Sequence, residues 1–365
     1  CGRRILAVWL YDTGMSRLLP VFLSVVLIAS SAAAASPEAV RIATFNVAMG
    51  LDEPGELGAA LATGDDRRLQ QVAEILQRVR PDVVLLNEFD HEPAIDAAAL
   101  LHAHYLSRPQ GGQAPIAYAH HFRAPVNTGV DSGLDLDGDG AIGGPGDAWG
   151  FGRFPGQYGM LVLSRFPIDT RRTRTFQDFR WAELPGALRP LNPDGSPFHP
   201  DAVWNRLRLS SKSHWDVVLD IGGADLHLLA HHPTPPVFDG PEDRNGTRNH
   251  DEIRFWADYV GGGNTGAYIY DDAGTYGGLE PGALFVIAGD QNSDPFDGDS
   301  YPGSAQLLLD HPRINDSMTP SSLGGVEQAI LQGGINDDHL GPVCPEHLHL
   351  PLLNRNLKIL FPVRQ

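Results

Sequence analysis

Cysteine is almost missing from this sequence: Cys1 and Cys344 are the only two in 365 residues. An exported chain with so few thiols builds no internal disulfide framework, so a large core or a bound metal must stabilise it. Basic charge is also scarce. Lys plus Arg total 27 against 45 Asp plus Glu, a formal net charge of −18. Such a surface repels nucleic acid unless cations or a local basic groove intervene, which argues against a protein whose main task is to grip DNA. It leaves room for hydrolysis of a phosphoester at a metal centre. From Met15 the chain reads MSRLLPVFLSVVLIASSAAAASPEAV. One arginine, an apolar stretch and small residues with A-x-A spacing make the pattern of a secretory signal peptide, too short and weakly flanked for a stable anchor. Residues 15–35 are expected to be this leader, with cleavage near Ala33 to Ala35. An uncleaved anchor is the competing reading. The mature protein is expected to be secreted or periplasmic, monomeric and without a membrane span. Residues 1–14 precede that Met and read as upstream sequence from a wrong start, so Cys1 leaves with them.

What is present is glycine and proline, 41 and 29 residues, which predicts a loop-rich chain of many short elements. Val40 to Val47 (VRIATFNV) reads as a first strand. In Arg68 to Arg80, Leu69, Val72, Ala73, Ile75, Leu76 and Val79 share one helical face, and Pro81 ends the helix. DVVLLNEFD follows as a buried strand that emerges at Asn87 and Glu88. Residues 106–156 read as a long loop region, and Gly159 to Ile168 as a strand. His214 to Pro236 predicts a hairpin with a Gly-Gly turn, and Asn249 to Val260 a helix with Asp251 and Glu252 favourably placed in its first turn. Phe285 to Ala288 is a last apolar run before GDQNSDP. With no repeat and no linker, residues 38–365 predict a single α/β (α+β) domain built as a sandwich of two mixed sheets.

Four apolar elements end in polar residues: Asn46, Glu88, His231 with His232, and Asp290 with Asn292. The strand ends of a sandwich gather at one rim, so these groups are expected to meet. Carboxylates and asparagine carbonyls are hard oxygen ligands that suit Mg²⁺, Mn²⁺ or Ca²⁺ better than zinc. A histidine beside them acts as a general base or hydrogen-bonds a phosphoryl oxygen. Metal-assisted phosphoester hydrolysis is the chemistry this set suits best.

TFNV, LLNEF, GMLVLSRFPI, LLAHHPTPP and GDQNSDP stand in an order that resembles the endonuclease/exonuclease/phosphatase superfamily over about residues 40 to 300. That group includes deoxyribonucleases, exonuclease III-type repair nucleases, sphingomyelinases and inositol-polyphosphate phosphatases. The resemblance implies a four-layer sandwich of two mixed β-sheets flanked by helices. It also implies a divalent-metal-dependent phosphoesterase acting on nucleic acid or a small phosphodiester. By matching position, Asn46 and Glu88 resemble the first metal-site pair, with Glu88 the direct ligand helped by Asp290. Asp290 and Asn292 resemble the pair that positions the attacking water and the phosphate. His232, just before Pro-Thr-Pro, takes the catalytic-histidine position in preference to His231, since alternation turns one of the two into the core. Arg165 resembles a phosphate-contacting arginine, or is a solvated turn residue.

The family's closing strand and Asp-His pair have no clear counterpart. Asp338 and His339 are the nearest substitutes, and NRNLKIL reads as the stump of a strand. Two readings stay open: a chain aberrant or truncated after about residue 341 and catalytically silent, or a variant loop that carries the pair. Asp135, Asp137 and Asp139 alternate before Gly140 as at the start of a Ca²⁺ loop, with a solvated acidic turn as the alternative. Arg244, Arg248 and His250 read either as anion-binding groups or as the start of a helix. Trp181 reads as core, with a substrate-side aromatic loop as the alternative.

Overall fold

The computed structural model describes residues 39–315, 330–331 and the backbone of Leu357–Leu360. The expectations for 1–14, for the leader at 15–35, and for Asp338 and His339 lie outside the described residues. Strand β1 (Ile42–Met49) alternates cleanly: Ala43, Phe45, Val47 and Met49 join one core, while Ile42 joins another on the opposite face. Helix α1 (Glu56–Thr63) follows, then α2 (Arg67–Val79). Asp66 caps α2 by accepting the backbone N–H groups of Arg68 and Leu69, and Arg80 closes it in a left-handed conformation before Pro81. Strand β2 (Val83–Phe89) runs parallel to β1, with Asn46 opposite Asn87. Helix α3 (Ala97–Leu101) continues into a single π-turn.

The loop-rich stretch expected over 106–156 is irregular except for the short strand β3 (His120–Phe122) and one 3₁₀ turn. Strands β4 (Met160–Ser164) and β5 (Arg174–Thr175) precede α4 (Asp201–Trp204). The predicted hairpin is β6 (Trp215–Asp220) with β7 (Asp225–His231). Its turn is tight because Gly222 and Gly223 both take positive φ, 88° and 94°, while Ile221 N–H bonds the Ala224 carbonyl. Helix α5 (Arg244–Gly261) starts earlier than the expected Asn249. Asn245, Gly246 and Thr247 are weak helix formers, and local bonds recruit them, including Thr247 Oγ1 to the Asp243 carbonyl at 2.8 Å. Strand β8 (Leu284–Gly289), α6 (Gln306–Leu309) and β9 (Leu357–Leu360) complete the order. Leu357–Leu360, the end of the expected stump, is thus a strand, paired antiparallel with β1.

Two mixed sheets result, ordered β3-β4-β2-β1-β9 and β5-β6-β7-β8. Leu57, Leu69, Val72, Leu76 and Leu101 of α1 to α3 cover the outer face of the first sheet. Phe255, Trp256, Tyr259 and Val260 of α5 cover the outer face of the second. Between the sheets lie Ile42, Val83, Leu85 and Val162 against Trp215, Val217, Leu228 and Ala288. Burying one such side chain as fully as Phe255 stabilises by about 2–3 kcal/mol. The order helix, sheet, sheet, helix is the four-layer sandwich that the family resemblance implied. Strand β8 lies against both β1 and β2, so the carboxyl ends of β1, β2, β7 and β8 share one rim.

Candidate active site

The first sheet supplies Asn46 and Glu88. Strict alternation along β2 would send Asn87 between the sheets and Glu88 towards the helices. The strand breaks that rule. Between Asn46 and Met49 the pairing shifts, so β1 carries one residue more than β2. Ala48 and Glu88 both adopt positive φ, 53° and 54°. A bulge of this kind re-aims a side chain, at a local cost of about 1–3 kcal/mol per strained residue. Here it returns the Glu88 carboxylate to the inter-sheet side, where Oε1 accepts from Asn46 Nδ2 at 2.8 Å.

The second sheet supplies the remainder. Strands β7 and β8 are parallel with His231 opposite Gly289, so His232 and Asp290 come next on each. Asn46 Nδ2 also donates to Asp290 Oδ2 at 3.0 Å, which puts two carboxylates from different sheets on one amide nitrogen. Asn46 Oδ1 accepts the Ala48 N–H at 3.2 Å, fixing which way that amide faces. Asn292, at φ 48°, donates through Nδ2 to the Pro233 carbonyl and through its backbone N–H to Asp290 Oδ1. His231 packs its ring against His214 and Trp256 and accepts at Nε2 from the Gln291 amide at 2.8 Å. His232 continues the inter-sheet series of Leu226, Leu228 and Ala230, and it too is buried.

Several residues of this rim went unnoticed in the sequence. Asp90 is buried two positions past Glu88 and accepts the N–H groups of Leu51 and Tyr158, tying the loop after β1 to the lead into β4. Its burial pushes the carboxyl up to about 7. Glu252 is not in the first turn of α5, where it was expected, because the helix starts at Arg244. It is buried mid-helix, accepting from Ser211 N, Ser211 Oγ and Thr234 N. Asn249, one turn earlier, donates through Nδ2 to the carbonyls of Thr234, Gln291 and Asn292. Lys212 is buried beside them. Burial lowers its ammonium from 10.5 to about 8, with Arg248 assisting and the Glu252 and Asp290 carboxylates opposing. The hairpin register does carry a signal for Lys212, because it brings the residues just before β6 alongside those just after β7.

Arg165 is not brought to this rim. Strand β4 runs antiparallel to β2, so Arg165 bonds Asp82 at 3.0 Å, just before β2 and roughly 20 Å from Glu88 along the strand. Arg248 donates to the carbonyls of Leu209, Trp149 and Arg208, Arg244 pairs with Glu242, and His250 bonds Asp251. These are structural contacts of a helix start. Trp181 is core, its indole N–H donating to Asp251 Oδ2 at 2.7 Å. The carboxylates of Asp135, Asp137 and Asp139 do converge, within 4.8 Å of one another. Each already accepts backbone N–H groups of its own loop, and the buried Asp147 closes that loop by accepting from Leu136 and Gly143.

The endonuclease/exonuclease/phosphatase family model matches residues 43–343. The chain belongs to that family. Members of the family are hydrolases that act on phosphoesters. No curated protein matches the sequence significantly. Among solved structures, an endonuclease/exonuclease/phosphatase from Beutenbergia cavernae is 18% identical, with a TM-score of 0.38. The match covers 82% of this chain and 54% of that one, so this chain spans about half its length. Sphingomyelinase C from Streptomyces griseocarneus is also 18% identical, over 75% of this chain and 70% of that one, with a TM-score of 0.38. A mutant beta toxin from Staphylococcus aureus with bound magnesium ions is 14% identical, over 81% and 80%, with a TM-score of 0.40. No helix among the described residues is long and apolar enough to cross a membrane.

Proposed function

We propose that this family member is an exported phosphoesterase that hydrolyses phosphodiester or phosphomonoester bonds with a divalent metal. The observation that carries the reading is the Asn46 amide, which holds Glu88 and Asp290 together from two different sheets. Two carboxylates at that spacing are an oxygen donor set for a hard cation, Mg²⁺ first, with Mn²⁺ or Ca²⁺ as substitutes. Glu88 and Asp290 would hold it, with Asn46 as their spacer. A cation so placed supplies Lewis acidity, polarising a phosphoryl oxygen and favouring the oxyanion that leaves.

The chain's own groups do the rest. Asp290 and Asn292 orient the attacking water, and Asn292 is fixed for this by its bond to the Pro233 carbonyl. His232 hydrogen-bonds a phosphoryl oxygen as charge develops on it. Lys212 takes the part that the resemblance implied for Arg165: it is buried, and the Asp290 carboxylate is among the charges that act on its ammonium. A cation in a dry pocket stabilises developing negative charge far more than one in water. The acidic surface favours small or lipid-like phosphoesters over long nucleic acid.

The test is hydrolysis of bis-p-nitrophenyl phosphate and of plasmid DNA with Mg²⁺, Mn²⁺ or Ca²⁺, comparing wild type with Glu88→Ala. The expected result is metal-dependent turnover that falls at least about 100-fold in the variant. Turnover that survives both EDTA and Glu88→Ala would end the metal reading. A well-folded chain silent with every metal would favour a secreted scaffold without activity.

A further inference from the structure

The proposed site is split between two sheets, and hydrophobic packing between sheets tolerates small slides. The Asn46 amide spaces the Glu88 and Asp290 carboxylates, and a contact to the backbone of the second sheet has to hold His232 and Asp290 in step with them. Asn87 is placed to do this. It sits on β2 next to Glu88, in register with Asn46, and is fully buried on the inter-sheet face. Its Oδ1 accepts the Thr44 hydroxyl at 3.0 Å. A hydroxyl can donate or accept, so the acceptor-only His231 carbonyl settles the orientation of the amide, with Nδ2 facing it and Oδ1 left for Thr44. Nδ2 then crosses the gap and donates to the His231 carbonyl at 3.2 Å.

The His231 carbonyl is itself crowded. A Cβ placed on Gly289 would stand 2.2 Å from this oxygen and 2.8 Å from the His231 ring. The residue before Asp290 is therefore pressed against the same peptide that Asn87 holds. One carbonyl thus fixes the second sheet, through β7 and its parallel neighbour β8, to the strand that bears Glu88. A buried amide satisfied on both sides in this way specifies one arrangement where apolar side chains would allow several.

We propose that Asn87, held by Thr44, is a positioning residue that keeps the His232–Asp290 pair in step with the Glu88 carboxylate. The inference rests on the phosphoesterase reading for its kinetic consequence, though the latch between the sheets is a matter of geometry alone. Groups that orient ligating side chains typically change metal affinity or activity by about 10–100-fold when removed.

The experiment compares wild type, Asn87→Leu, Thr44→Val and Thr44→Ser. It measures kcat and KM on bis-p-nitrophenyl phosphate, Mn²⁺ affinity by electron paramagnetic resonance, and amide chemical shifts of the metal-free protein. For Asn87→Leu, kcat and Mn²⁺ affinity should each fall about 10–100-fold while KM stays within about 3-fold. Amide shifts should move at His231, His232 and Asp290 across the gap, and stay unchanged in the outward half of α5. Thr44→Val should show a smaller loss in the same direction, and Thr44→Ser should restore wild-type values. A folded Asn87→Leu with wild-type kcat, Mn²⁺ affinity and His231–His232 shifts overturns the proposal. If wild type itself hydrolyses nothing, the phosphoesterase reading has failed. The latch is then judged on the shifts alone, and their absence at His231 and His232 overturns it.

Discussion

The Glu88 half of the rim is shaped by its own backbone, whereas the His232–Asp290 half is shaped by side chains that reach it from a helix. On the first sheet a shift in pairing and two positive-φ residues, Ala48 and Glu88, turn the carboxylate inward. On the second sheet, Asn249 and Glu252 of α5 hold the loops after β7 and β8 by their carbonyls and N–H groups. Strain stored in a strand is local and survives changes in its neighbours. A braced loop is only as firm as the helix that braces it, so the two halves should fail under different insults.

The largest effect is expected at Glu252. Glu252→Ala strips acceptors from Ser211 and Thr234 and removes the strongest opposite charge acting on buried Lys212. Leaving the buried Ser211 and Thr234 N–H groups without their acceptor costs about 1–3 kcal/mol each. Urea denaturation should show a loss of that size, and Thr234 and Asp290 should exchange their amide hydrogens faster while Glu88 does not. Equal acceleration at Glu88 would erase the contrast between the halves.

Acid should act in the same place. Burial lowers His214 to about 3 and His199 to about 4, below the ordinary 6.5. The unfolded chain then binds protons that the folded chain refuses, so stability is intact above about pH 6.5 and falls as pH drops towards 4 and 3. His214 bonds the Glu252 carbonyl, so the second sheet's layer should loosen first. Asp90, raised to about 7, adds stability as pH falls over the same range, and the imidazoles outweigh it. Thermal melting from pH 7.5 to 4.5 should therefore show a net fall in midpoint, worth a few kcal/mol in all. A flat profile would show that these imidazoles are not held neutral.

On the first half, relieving strain should help stability. Ala48→Gly suits φ 53° without the Cβ clash and should stabilise by about 0.5–1 kcal/mol, read from the denaturation midpoint. A destabilised variant would mean that the backbone of β1 is not under the strain described. The smallest effect belongs to Arg165→Ala. Its partly exposed pair with Asp82 is worth less than about 1 kcal/mol, and turnover should stay within about twofold of wild type. A large loss of turnover would return Arg165 to the reaction.

The same contrast governs what could be read from the residues. Helix α2, the β6–β7 hairpin and the strand ends at Asn46, Glu88, His232 and Asp290 rest on local periodicity and turn chemistry, and the strands and helices stand near where those patterns put them. Polar strand ends are visible because they interrupt apolar runs. What stayed hidden is non-local. Asn87 looks like part of a motif, yet its partner is a carbonyl more than a hundred residues away. Glu252 and Asp251 look like helix-start acids until packing buries them. Lys212 sits in SSKSH, which has no periodicity at all, and only the hairpin register brings it to the rim. Arg165 was placed by a motif, whereas its location depends on β4 running antiparallel to β2, which no short stretch encodes. The bulge that turns Glu88 inward is equally silent in sequence, since nothing in NEF announces a positive φ.

Mn²⁺ titration of the folded chain at neutral pH, followed by electron paramagnetic resonance, tests the shared carboxylate site most directly. Wild type should bind an ion that Glu88→Gln and Asp290→Asn each weaken at least about 10-fold, although the two residues stand on different sheets. If either variant binds Mn²⁺ as wild type does, the two halves do not share one cation, and the account is contradicted.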